Sequence, residues 1–149
     1  EASGLHAIVL AGESEKVAHR VRDHRHTDAT LTVQTRERVD AIECGRIDEV
    51  RAIYAPDAVI WHNTDQQATT AAENLEVLRA FIGLIGDRRY VERRLQTFPG
   101  GFMQQHVLTG TRQDGVRLTL HACVVCQVSH GRITRLDEHA CSVRLPVAG

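Results

Sequence analysis

The chain has 149 residues, with 18 basic against 19 acidic side chains and a pI near 6.8. One domain of this length buries roughly two thirds of its unfolded surface without staples, and the balanced charge offers no basic field for nucleic acid. Apolar runs such as Ala7 to Ala11 and Ala122 to Val125 are far too short to span a bilayer, and the start lacks a basic region followed by a long apolar one. The expectation is therefore a soluble, cytoplasmic protein without membrane or nucleic-acid partners.

Residues 1–27 form an N-terminal extension. Its segment Glu13 to His26 is dense in charge and histidine, and a short helix or a mobile arm fits it equally well. From Asp28 the pattern is helical, with Leu31, Thr35, Val39 and Ile42 three or four apart and Gly45 as the stop. Ile47, Val50, Ile53 and Tyr54 share one face of a second short helix, which Pro56-Asp57 breaks. Ala58 to Asn63 then reads as a strand. Thr70 and Glu73 form a capping box ahead of the stripe Leu75, Leu78, Ile82 and Ile85, with Gly86 closing the helix. Arg88 to Phe98 is the next strand, and Pro99-Gly100-Gly101 turns it into Phe102 to Thr111. Asp114-Gly115 predicts a type I′ hairpin into Val116 to Ser129, and His130-Gly131 leads into Arg132 to Val143. The order α-α-β-α-β-β-β-β makes residues 28–149 a single α+β domain rather than a doubly wound sheet.

Four cysteines invite a metal or a disulfide. Cys123 and Cys126 lie in an apolar strand, where residues three apart point to opposite faces and cannot chelate one ion. Cys44 and Cys141 are isolated, so the reading is four reduced, mostly buried thiols.

The stretches Tyr54-Ala55-Pro56-Asp57-Ala58 entering Trp61-His62-Asn63, Gln105 to Thr111, and Gly131 to Glu138 together resemble the nuclear transport factor two-like superfamily. Its members include ketosteroid isomerase, limonene epoxide hydrolase and the SnoaL-like polyketide cyclases. The resemblance spans about Asp28 to Val143 and is closest to the SnoaL-like group. It implies a cone, in which a strongly curved, mainly antiparallel mixed sheet and about three N-terminal helices enclose a mostly apolar cavity. One fold of this kind hosts unrelated functions. Carried over residue by residue, the isomerase base falls on His62 or Asn63, but its hydrogen-bonding acid falls on Val124, which cannot donate. The epoxide hydrolase set matches Trp61 and Asn63, whereas its remaining positions fall on Gln104 or Gln105, His106 or Val107, and Cys141. Neither catalytic set is retained.

A distinct polar set remains. His106 interrupts an apolar strand and can accept or donate a proton near neutrality; the plainer alternative is a histidine in a structural hydrogen bond. His62 and Asn63 are neighbours that must face opposite ways, and parity groups Asn63 with Trp61. Asp137, His139 and Cys141 share a face, which the family alignment makes the pocket; the alternative pairs Asp137 with Arg135 or Arg132. The expected pocket comprises His106, Asp137, Asn63 and His62 as chemical groups, lined by Trp61, Tyr54, Leu120, Ala122, Val124, His139 and Cys141. No metal site is expected, because His121 falls out of phase with the pocket residues, and no cofactor is expected. His121, Cys123, Val125 and Gln127 form an outer stripe suited to a homodimer. The function so implied is binding of a small apolar, oxygenated ligand, or cofactor-independent acid/base chemistry on it of isomerase, cyclase or hydrolase type. A non-catalytic ligand-binding or dimeric interaction module is the alternative.

Overall fold

Gly45 adopts a φ of +73° and ends the first helix, α1 (residues 36–43). Its N–H donates to the Ile42 carbonyl and that of Arg46 donates to Ala41, the paired bonds that close a helix through a left-handed residue. The computed structural model describes residues 36–142, Arg38 excepted. The expected extension over residues 1–27, the helix start with Leu31 and Thr35, and Val143 lie outside the described residues.

Helix α2 is Ile47–Ile53, buried through Val50 and Ile53. The chain passes directly into strand β1, Tyr54–His62, earlier than the expected start at Ala58. Pro56 does not break the strand, because pairing with the neighbouring strand shifts register between Tyr54 and Val59. A proline has no ladder hydrogen bond to give, and a bulge asks for none. A short strand absent from the expected order, β2 (Ala68–Thr70), folds back on β1. Three residues without alternation carry no strand signal.

Thr70 then caps α3, Ala71–Leu84, through the predicted reciprocal box with Glu73. The helix gives way to β3 at Ile85, so Gly86 belongs to the strand rather than closing the helix; β3 runs to Phe98. Strands β4 (Gly101–Arg112), β5 (Arg117–Ser129) and β6 (Arg132–Ser142) follow as a meander. The turn at Asp114-Gly115 differs in type from the expectation. Gly115 has a positive φ and its N–H donates to the Arg112 carbonyl, while Asp114 is not left-handed. This is the three-residue loop with a left-handed glycine rather than a type I′ turn. At His130-Gly131 both residues have positive φ, as type I′ requires.

The six strands are ordered β2-β1-β6-β5-β4-β3, all antiparallel except the β1–β6 pair. The sheet is thus mixed and open at both edges, the α+β class that the element order implied and the cone that the resemblance implied. Its inner face carries Ile60, Phe102, Val124, Cys126, Ile133 and Leu136, which pack on Ala41 and Ile42 of α1, Val50 and Ile53 of α2, and Leu75 of α3. Arg88 ties the helix ends to the sheet. Its guanidinium donates to the Ile42, Glu43 and Ile82 carbonyls at 3.3, 3.1 and 2.9 Å, and also to that of Ile85.

Candidate functional site

Register places a row of side chains across four strands on the inner face. Gln104 of β4 lies opposite Val124 of β5, Val124 opposite Glu138 of β6, and Glu138 beside His62 of β1. One step along, His106 faces Ala122, and Ala122 faces Ala140. His62 Nε2 lies 3.2 Å from Glu138 Oε2, with both side chains about one quarter exposed. Gln104 and His106 are only 3% and 4% exposed, and Gln104 Nε2 stands 3.1 Å from His106 Nδ1. The Tyr90 ring of β3 packs against the His106 imidazole with centroids 4.9 Å apart and planes tilted by 56°. Two imidazoles, a carboxylate and an amide therefore border an apolar floor of Val124 and Ala122. Leu120 lies on the same face, opposite Leu108.

This arrangement keeps His106, His62, Leu120, Ala122 and Val124 together, and it moves other expected pocket residues away. Asp137, His139 and Cys141 stand on the outer face, opposite Val125, Cys123 and His121 respectively. The cause is an extra residue in β6. Gln127 pairs with Arg135 but Val128 pairs with Ile133, so Thr134 is a bulge, and one inserted residue exchanges every later side chain between faces. Asp137 accepts the Arg135 Nε–H on Oδ2 at 2.9 Å and forms an ion pair with the same guanidinium, Nη2 lying 2.8 Å from Oδ1, and this pairing raises the Arg135 pKa above its ordinary value. Asp137 is thus not a partner for His106.

Trp61 follows Asp137 onto the outer face and packs on His139, ring centroids 5.1 Å apart. Asn63 is engaged by backbone. It receives the Ala140 N–H on Oδ1 at 2.8 Å, donates from Nδ2 to the Ala140 carbonyl at 3.1 Å, and its own N–H bonds Glu138. Its amide extends the β1–β6 ladder past the end of β1 rather than facing a ligand, and His62, not Asn63, points inward. Tyr54 is 2% exposed within the core cluster. Glu138 is the inner-face carboxylate, although strand parity with Asp137 assigns it to the outside. Its alternation with Leu136 and Ala140 carried the signal.

On the outer face an open groove of about 430 Å³ is bordered by Arg94, Gln105, His121, Cys123, His139 and Cys141. Most of these side chains are exposed, so the groove is surface rather than an enclosed cavity. None of the four cysteines is in a disulfide. Cys126 is buried and Cys123 half-buried, whereas Cys44 and Cys141 are exposed, contrary to the expectation of mostly buried thiols. Among the described residues no three metal-ligating side chains converge on one point, and no helix is long and apolar enough to cross a membrane.

A model of the SnoaL-like domain matches residues 35–136. No curated protein matches the chain. Among solved structures, a candidate polyketide cyclase from Xanthomonas campestris pv. campestris superposes with a TM-score of 0.68 at 15% identity, covering 74% of this chain and 90% of that one. An LEH-like epoxide hydrolase from M. tuberculosis gives 0.63 at 17% identity, over 76% and 84% of the two chains. A protein with a ketosteroid isomerase-like fold from Catenulispora acidiphila DSM 44928, in complex with trimethylamine, gives 0.64 at 8% identity, over 70% and 82%. At these identities the structural likeness speaks for the fold alone, whereas the domain match covers more than half of the sequence: the chain belongs to the SnoaL-like domain family.

Proposed function

We propose that the protein holds a small, apolar, oxygenated ligand against the inner face of its sheet and handles a proton of that ligand through His62 and Glu138. The observation that carries this reading is the 3.2 Å contact between His62 Nε2 and Glu138 Oε2 in the same row as the buried Gln104. A carboxylate at Nε2 holds the imidazole in the tautomer with hydrogen on that nitrogen and makes Nδ1 the basic one, the geometry of an oriented general base. Val124 and Ala122 offer no donor between the two polar ends, so the ligand chemistry that suits this row is an apolar skeleton with its oxygens at the ends. The solved structures named for epoxide hydrolysis and polyketide cyclisation lend this reading their fold, and their reactions lend it a range of chemistries to screen.

Native mass spectrometry of freshly purified protein tests the reading. The expected spectrum contains a complex heavier than the bare chain, and the mass released on denaturation is that of an apolar compound carrying oxygen. Release of a strongly charged metabolite such as a nucleotide would contradict it, since the inner face offers no cluster of arginines among the described residues. We further propose, for the outer face, a second copy of the chain as its partner. Trp61, Met103, Cys123 and Val125 are partly buried there, and Val59 and Val91 are exposed apolar side chains at its flanks.

A further inference from the structure

We infer that Gln104 is a positioning residue that fixes His106 as a neutral hydrogen-bond donor, so that the two inner-face histidines have opposite duties. An amide nitrogen has hydrogens only to give. With Gln104 Nε2 at 3.1 Å from His106 Nδ1, that ring nitrogen must offer its lone pair, and the ring hydrogen then resides on Nε2. Both side chains are almost fully buried, so a mismatched pair, N–H against N–H, would cost a full desolvation penalty with no bond in return. They sit two residues apart on one face of β4, which keeps the amide beside the imidazole. The Tyr90 ring at 4.9 Å and the small Ala122 opposite fix the plane of the imidazole.

The contrast with His62 is one of partners. A carboxylate faces Nε2 of His62 and leaves Nδ1 basic, whereas an amide donor faces Nδ1 of His106 and leaves Nε2 an N–H. Whatever group meets His106 at Nε2 must therefore be an acceptor. Resting on the proposed role of His62 and Glu138, the ligand end near His106 is a carbonyl or enolate-type oxygen, which that N–H stabilises as charge develops, while the proton is taken at the His62 end.

Nitrogen-15 NMR of the full ligand-free chain, with histidine labelled, reads this at pH 7. The expected wild-type spectrum shows His106 with hydrogen on Nε2 and a bare Nδ1. In Gln104→Glu the new carboxylate accepts where the amide donated, so the ring hydrogen moves to Nδ1. Gln104→Met, which keeps the length but has no donor, should give a mixture of tautomers and serves if the glutamate variant does not fold. Hydrogen on Nδ1 in the wild type, or a His106 spectrum unchanged by either substitution, overturns the assignment. Because the measurement uses ligand-free protein, that failure would leave the His62–Glu138 reading standing, and loss of the latter in ligand studies would leave this tautomer in place.

Discussion

Thr70 and Glu73 show how much a single pair contributes at the start of a helix. The Thr70 hydroxyl accepts the Glu73 N–H at 3.3 Å, and the Glu73 carboxylate accepts both the Thr70 N–H and its hydroxyl at 2.8 Å. These bonds, the backbone one first, hold the Glu73 pKa below its ordinary 4.5. A carboxylate with a lowered folded-state pKa stabilises fully above its unfolded value and loses that contribution as the pH falls through the folded one. The denaturation midpoint of Glu73→Gln should therefore lie below that of wild type at pH 7, and the two should converge as the pH drops below about 4. Thr70→Ala should cost about 1 kcal/mol in urea unfolding at neutral pH. This pair is legible in the sequence, because a capping box is written in residues three apart. Glu138 and Asn63 are not, since their roles depend on which strand lies alongside: Asn63 reads as a ligand amide and instead completes the backbone ladder of Ala140.

Among the elements, Arg88 is the joint between helices and sheet. One guanidinium on β3 donates to the last carbonyls of α1 and of α3, where helix ends otherwise leave acceptors unpaired and carry partial negative charge. Arg88→Met keeps much of the apolar stem but removes every donor, so it should destabilise the fold by roughly 2–3 kcal/mol in urea denaturation. A loss under about 0.5 kcal/mol would mean that water serves these carbonyls equally well. The existence of the five longer strands is plain from alternation, β2 being too short to show any, and the other chief differences between expectation and structure are of phase. Thr134 bulges in β6 and reverses the facing of Asp137, His139 and Cys141. Nothing in Ile133-Thr134-Arg135-Leu136 marks an extra residue except the two buried apolar side chains three apart. Ile133 and Leu136 cannot both face the core along an unbroken pleat. In the β4–β5 pairing no such irregularity intervenes, and His106, Ala122 and Val124 fall together as alternation predicts.

At the scale of the molecule, helices on one side of the mixed sheet and an uncovered opposite face among the described residues set two tests. If a second copy covers the outer face, a charge placed at its centre must be desolvated unpaired or must break the contact, at a cost on the order of several kcal/mol. Val125 lies there between Met103 and Asp137. Sedimentation of Val125→Glu should show monomer where wild type shows dimer, and a wild-type monomer at micromolar concentration would remove that interface. The α+β class is legible because the element order and turn residues are local signals, whereas the cone is what the family resemblance implies. Which carboxylate reaches the inner face is not legible, because it follows from a bulge and a parallel pairing between strands more than seventy residues apart. The central claim is that His62 beside Glu138 handles the proton. It is tested most directly by the pH dependence of affinity for the copurified ligand, compared between wild type and His62→Gln. The account predicts a wild-type affinity that changes between about pH 5 and 8, where histidine usually titrates, and a flat profile for the variant. Superimposable profiles would contradict it.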